Sequence, residues 1–197
     1  MYESFVNNLP ESTRIRTAFD GRNMEIMVKG PVHDYFADRL DDFIKTVTGS
    51  LGIHIVSLRE TTWIRPELER GIESDNCYYL DLEKIASGLS LIRQRVNDVA
   101  AYPNPDLAIE VDISPPQADR QAIYAAMGVT ELWSFDGQVL TIRRLDENGR
   151  YQAVERSGFL RVRADQVSRW LITEDLTDYG AWTQRLRQWA EESLRKE

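Results

Sequence analysis

The residues of this chain best suited to chemistry are the carboxylates of one short segment. Pro105 to Asp112 reads P-D-L-A-I-E-V-D. Leu107, Ile109, Val111 and Ile113 alternate with Asp106, Ala108, Glu110 and Asp112. That period of two predicts a half-buried β-strand. Acids are depleted in strands, and like charges on one face repel, so something must compensate. A divalent cation is the simplest candidate. Residues two apart on a strand lie about 6.5–7 Å apart, which makes Glu110 and Asp112 neighbours. Asp106 then sits about 13 Å from Glu110, too far to share one ion directly. A further oxygen ligand must come from another element, and Asp75, at the mouth of a predicted strand, is the best candidate. Asp75 and Glu110 together offer hard oxygens suited to Mg²⁺ or Mn²⁺. Such an ion stabilises phosphoryl charge and activates water. The alternative is an exposed acidic strand face, solvated or paired with arginines.

The elements that must position these residues follow from periodicity and turn chemistry. Residues 13–19 and 24–29 flank Asp20-Gly21 and read as a hairpin. Val32 to about Val47 carries apolar residues at helical spacing, closed by Gly49 and Gly52. Residues 53–64 and 76–82 read as strands, with a polar loop from Arg65-Pro66 to Gly71 between them. A short helix is expected over 90–100, stopped by Pro103 and Pro105. After the acidic strand, 117–127 is helix-like with Gly128 as its C-cap. Strands at 131–136, 138–145 and 150–155 follow. Helices at about 164–172 and 179–195 finish the chain. This alternation predicts a mixed sheet flanked by helices, α/β or α+β, in a single domain over 1–197.

The bulk numbers are those of a globular protein. The chain has 197 residues, a net charge of −8 and 28% charged residues. The acidic balance counts against a protein that coats nucleic acid through a broad basic surface. The only lysines are Lys29, Lys45, Lys84 and Lys196, so arginine carries most of the positive charge. Arginine suits bidentate phosphate contacts and surface ion pairs alike. No segment approaches a membrane span and no signal peptide is visible, so the expected location is the cytoplasm. One cysteine and two histidines exclude zinc spacing, and no glycine loop for phosphates is present.

Four motifs in order carry a family resemblance. They are D-G-x-x-x-E-I-M from Asp20, followed by Gly30-Pro31-x-His33; G-x-E-x-D-x-C-Y-Y from Gly71; P-D-L-x-x-E-V from Pro105; and Y-x-x-x-G-V-x-E-x-W from Tyr124. Over residues 20 to 172 the chain resembles the Uma-two-type restriction endonucleases, within the PD-(D/E)XK nuclease superfamily. The resemblance implies a restriction-endonuclease-like fold and Mg²⁺-dependent (or Mn²⁺-dependent) phosphodiester cleavage in nucleic acid, DNA before RNA. It makes Asp75 the first metal ligand and Glu110 the second acid. The superfamily places lysine two residues after that acid, where this chain has Asp112. Asp112 would then be a third ligand. Arg120, on the following helix, would supply the missing cation, stabilising phosphorane-like charge.

The remaining residues each admit two readings. His33, at the first helix start, would contact substrate or act as a general acid, or it caps the helix or sits on the surface. Glu25 would support the site, or it faces solvent from the hairpin. Glu73 would stand behind Asp75, or it forms a loop ion pair. Arg59 and Arg65 would approach phosphates or pair with Glu60 and Glu67. His54 should face solvent and Cys77 should be buried. Trp133, Trp170, Tyr78 and Tyr124 should be packing. Trp182, Leu186 and Trp189 should line one face of the last helix, on the chain's own core or across a homodimer contact. The function expected is a Mg²⁺-dependent endonuclease. The alternative is a weakened or inactive nuclease-fold binding module.

Overall fold

The computed structural model describes residues 2–9 and 15–195. Residues 13–14 of the expected first strand, and Lys196, lie outside these. A short helix α1 (Tyr2–Asn7) precedes the hairpin β1 (Ile15–Phe19) and β2 (Met24–Val28). Gly21 turns that hairpin at φ +90°, a conformation disfavoured for residues with a Cβ. Helix α2 (Pro31–Leu51) starts at a proline and ends at Gly52 in the left-handed region.

The expected strand over 53–64 divides in two. β3 (Val56–Ser57) and β4 (Thr62–Arg65) belong to different sheets. The expected loop after Arg65 is a 3-10 turn, Pro66–Leu68, running into β5 (Arg70–Glu73), which pairs with both β4 and β1. β6 (Asn76–Tyr79) ends earlier than expected because Asp81 caps helix α3 (Leu82–Arg93), accepting from the Glu83 and Lys84 amides. The helix expected at 90–100 therefore lies one to two turns upstream. Only Gly88 of α3 is buried, so its periodic signal was weak.

The acidic strand is β7 (Leu107–Val111), and all five of its residues are buried. It is not half-buried, because both faces of its sheet are covered. Helix α4 (Arg120–Ala126), capped by Asp119, crosses to the parallel neighbour β8 (Glu131–Phe135). β9 (Leu140–Leu145) and β10 (Tyr151–Val154) continue antiparallel, and α5 (Ala164–Ile172) and α6 (Tyr179–Trp189) close the described chain with a π-helical turn, Ala190–Leu194.

The strands form two sheets, in the orders β2-β1-β5-β4 and β10-β9-β8-β7-β6-β3. Leu40, Phe43, Ile44 and Val47 of α2 pack with Leu107, Ile109, Val111, Trp133, Trp170, Trp182 and Leu186. Each such buried side chain contributes about 1.5–3 kcal/mol. Ala108, Leu132, Cys77 and Tyr79, facing the other way, pack with Trp63, Ile72, Ile123 and Tyr124. Trp182 and Leu186 are thus consumed in the chain's own core, and that part of the last helix is not free for a homodimer contact. No helix among the described residues is long and apolar enough to cross a membrane.

Candidate active site

The two layers leave a buried electrostatic cluster where β1, β7, α4 and the turn before β6 meet. Asp75 is 1% exposed and anchored to β7 on both sides of its carboxylate. Its amide donates to the Ile109 carbonyl at 3.1 Å, and its Oδ2 accepts from the Val111 amide at 2.7 Å. Glu110, also 1% exposed, points from the same strand to the same place. Between them lies Arg16 of β1, which sequence reasoning missed. Its NH1 is 3.0 Å from Asp75 Oδ2, its NH2 contacts Glu110 Oε2, and its Nε donates to the Glu73 carbonyl at 2.6 Å. A cation inside the otherwise uncharged strand I-R-T-A-F was the one local signal of its position.

Arg120 is the second buried cation. It reaches Glu110 Oε2 at 2.7 Å, contacts Asp112, and forks onto Glu25 at 3.1 and 3.3 Å. Glu25 also accepts from the Gln117 and Ala118 amides, tying the hairpin to the start of α4. It is therefore not a solvent-facing position. On β2 the expected polarity is inverted, since Met24, Ile26 and Val28 are exposed and Glu25 is buried. The Tyr124 hydroxyl, expected only to pack, donates to Glu110 Oε1.

His33 is neither a cap nor a surface residue. It is buried, with Nε2 3.0 Å from Asp75 Oδ1 and Nδ1 3.2 Å from Asp34. The Nε2–Oδ1 approach lacks hydrogen-bond alignment, and neither atom has another hydrogen-bond partner. Glu73 sits on β5 and pairs with Lys29 at 3.2 Å, while Lys29 also reaches Glu60 at 3.4 Å and Asp75 at 4.0 Å. Asp106 lies apart from the cluster, as expected from its distance. It accepts from the Leu80 and Asp81 amides and pairs with Lys84 at 2.6 Å. Arg65 does not approach a phosphate position. It is buried, bonding Asn104 Oδ1 and the Val99 and Tyr102 carbonyls. Arg59 is exposed, 3.7 Å from Asp41. His54 faces solvent and Cys77 is fully buried.

Glu25, Asp75, Glu110 and Asp112 face two guanidiniums, with the His33 imidazole beside Asp75. Burial and the neighbouring Glu110 carboxylate push Asp112 up to about 6, because Arg120 is shared among three acids. Burial disfavours the charged form of His33, but Asp75 outweighs it and raises the imidazole above 6.5. Burial likewise opposes ionisation of Asp75, yet Arg16 and His33 hold it below the usual carboxylate range.

Two cavities adjoin the cluster. One of about 360 Å³ is walled by Asp75, Asn76, Asp34, Asp38 and Arg59. The other, about 240 Å³, is walled by Glu110, Asp112, Arg120, Ser134 and Arg143. Of the three expected metal ligands, Asp75 thus opens onto one cavity and Glu110 and Asp112 onto the other. Both Glu110 oxygens hold protein donors. Among the described residues no three His, Cys, Asp or Glu side chains are grouped to hold an ion. As arranged, the cluster fits two guanidiniums and does not fit a divalent cation.

The sequence pattern of the Uma2 family, described as "Putative restriction endonuclease", matches residues 2–172. The fold is similar to the crystal structure of "a putative nuclease belonging to DUF820" from Anabaena variabilis, with a TM-score of 0.56 and 15% identity, covering 86% of this chain and 98% of that one. No curated protein matches the chain.

Proposed function

This chain belongs to the Uma2 family, and we propose that it is a nuclease cleaving phosphodiester bonds in DNA, acting as one domain in the cytoplasm. The observation that carries this reading is the convergence of Asp75 and Glu110, from the turn before β6 and from β7, on a single guanidinium. Arg120 joins them through Glu110. A family of nucleases needs carboxylates and a cation brought together at one buried point beside an open cavity, and this arrangement supplies both.

The chain's own side chains define what the site can do. Arg120 and Arg143 share the wall of the 240 Å³ cavity. Guanidiniums suit a phosphoryl oxygen because their donors match its geometry. They also stabilise the charge that grows on phosphorus during displacement. Arg120 stays protonated throughout, since its carboxylate neighbours outweigh the effect of burial, so it cannot take a proton from water. Asp112, held near 6 on the same cavity, exchanges a proton around neutral pH and is the group for that task. Mg²⁺ or Mn²⁺ is the ion this family reading calls for, but the cluster as arranged does not fit it, and no step is routed through it.

The test is incubation of plasmid and single-stranded DNA with the protein and Mg²⁺ or Mn²⁺. Nicking by the wild type that is lost in Asp75→Ala supports the proposal. A second reading, a binding module on a nuclease scaffold, is favoured by one observation. The lysine position of the superfamily holds Asp112, and that acid is spent on Arg120. Retained DNA binding without nicking in either metal would select it.

A further inference from the structure

We propose that Arg16 is an internal cation lodged between Asp75 and Glu110 where a nuclease of this kind would hold its metal, so that Arg16 and a divalent ion exclude one another. The identity of the ion rests on the nuclease reading above, whereas the exclusion rests on geometry alone.

The guanidinium is held through each of its nitrogens. All three of its nitrogens are engaged, by the Glu73 carbonyl, Asp75 and Glu110, and the residue is 2% exposed. It takes the Oδ2 oxygen of Asp75 and the Oε2 oxygen of Glu110, the pair that a bridging ion would need. Little else is left for a metal. Asp75 Oδ2 also accepts from the Val111 amide, and Glu110 Oε1 holds the Tyr124 hydroxyl. The oxygen without a hydrogen bond, Asp75 Oδ1, faces His33 and Lys29 rather than another carboxylate. Magnesium demands a near-octahedral set of oxygens, only some of which water can provide. It cannot assemble that set while the guanidinium stands between the two acids. With the Arg16 guanidinium gone, Asp75 and Glu110 would face each other across the gap it leaves, with Arg120 still on Glu110 Oε2 at 2.7 Å.

A purely structural arginine predicts something different. Its loss would destabilise the protein and confer no new affinity. The experiment uses Mn²⁺ as probe on the full chain, counting free Mn²⁺ by electron paramagnetic resonance and following the melting temperature. The wild type and Asp75→Asn should bind Mn²⁺ equally weakly. Arg16→Gln should gain one Mn²⁺, at least about tenfold tighter than any wild-type binding, with a melting temperature that climbs with the metal. Adding Asp75→Asn to Arg16→Gln should abolish the gain. Arg16→Lys, which keeps a cation in place, should behave as the wild type.

Equal Mn²⁺ affinity in the wild type and Arg16→Gln overturns the proposal. So does wild-type binding that Asp75→Asn removes. If Arg16→Gln is unfolded without metal, Mn²⁺ should restore its helical circular dichroism through Asp75, and no recovery overturns the proposal equally. DNA nicking separates the two readings. A metal gain without nicking by any variant removes the nuclease reading and leaves the exclusion standing. Metal-dependent nicking by a wild type whose Mn²⁺ binding needs Asp75 does the reverse.

Discussion

Removing the Glu110 carboxylate tests whether the cluster is built as described. In Glu110→Ala three buried donors lose an acceptor, namely the Arg16 and Arg120 guanidiniums and the Tyr124 hydroxyl. Breaking a buried ion pair costs about 3–5 kcal/mol when a charge is left uncompensated. Here neither guanidinium is orphaned, because Arg16 keeps Asp75 at 3.0 Å and Arg120 keeps Glu25 at 3.1 Å. The cost belongs at the lower end, about 3 kcal/mol. The fully buried Tyr124 hydroxyl, left without its partner, adds about 1 kcal/mol. The sum of about 4 kcal/mol lowers the melting temperature by roughly 8–16 °C for a chain of this size. Calorimetry and urea titration measure it. Glu110→Gln, which keeps an oxygen for Tyr124, should lose about half as much. A double-mutant cycle with Tyr124→Phe should show a coupling of about 1 kcal/mol. A shift of less than about 2 °C in Glu110→Ala, or any rise, would refute the reasoning. It would mean that repulsion among the four carboxylates outweighs their pairing with the arginines.

Three further outcomes follow from the same structure. Asp112 keeps its proton up to about 6 in the native state, whereas the unfolded chain releases it near 3.8. The stability it contributes is therefore full below about 4 and lost as pH rises through about 6, about 3 kcal/mol in all. Urea midpoints across this range should flatten in Asp112→Asn, and an unchanged slope would remove the assignment. His33 is raised above 6.5 by Asp75, so its contribution is present below pH 6.5 and fades as pH rises through the higher native value. His33→Gln should erase that alkaline loss, and proton NMR of the wild-type imidazole should show the raised titration directly. Trp182→Ala should cost about 3–5 kcal/mol, because Trp182 is fully buried against Trp170. The solution mass should be unchanged, and a mass that halves would restore the homodimer contact.

Local chemistry carried much of the architecture. Asp20-Gly21 marked the first hairpin, and apolar spacing marked α2, α5 and α6. The Asp136-Gly137 turn marked β8 and β9, and the four ordered motifs found the family over nearly all of the matched span. These features depend on neighbours a few residues apart, which share a turn, a cap or a face. The residues the motifs singled out, Asp75, Glu110, Arg120, Asp112, Glu25 and His33, meet in one cluster. What the sequence could not determine is how their charges are settled. Arg16 is 59 residues from Asp75 and 94 from Glu110, and a pairing over that distance leaves no periodic trace in either strand. β7 read as half-buried because alternation reports only polarity, whereas the layer of β1, β5 and α4 that covers its second face is assembled from elsewhere in the chain. For the same reason the sequence left Glu25 open between a supporting role and a solvent-facing one, and the fold buries it against Arg120. Sequence by itself singled out the carboxylates that the fold gathers into one cluster. Tertiary packing alone decided that a second guanidinium, that of Arg16, stands among them beside Arg120, because burial forbids unpaired charge and the folded chain had this arginine within reach.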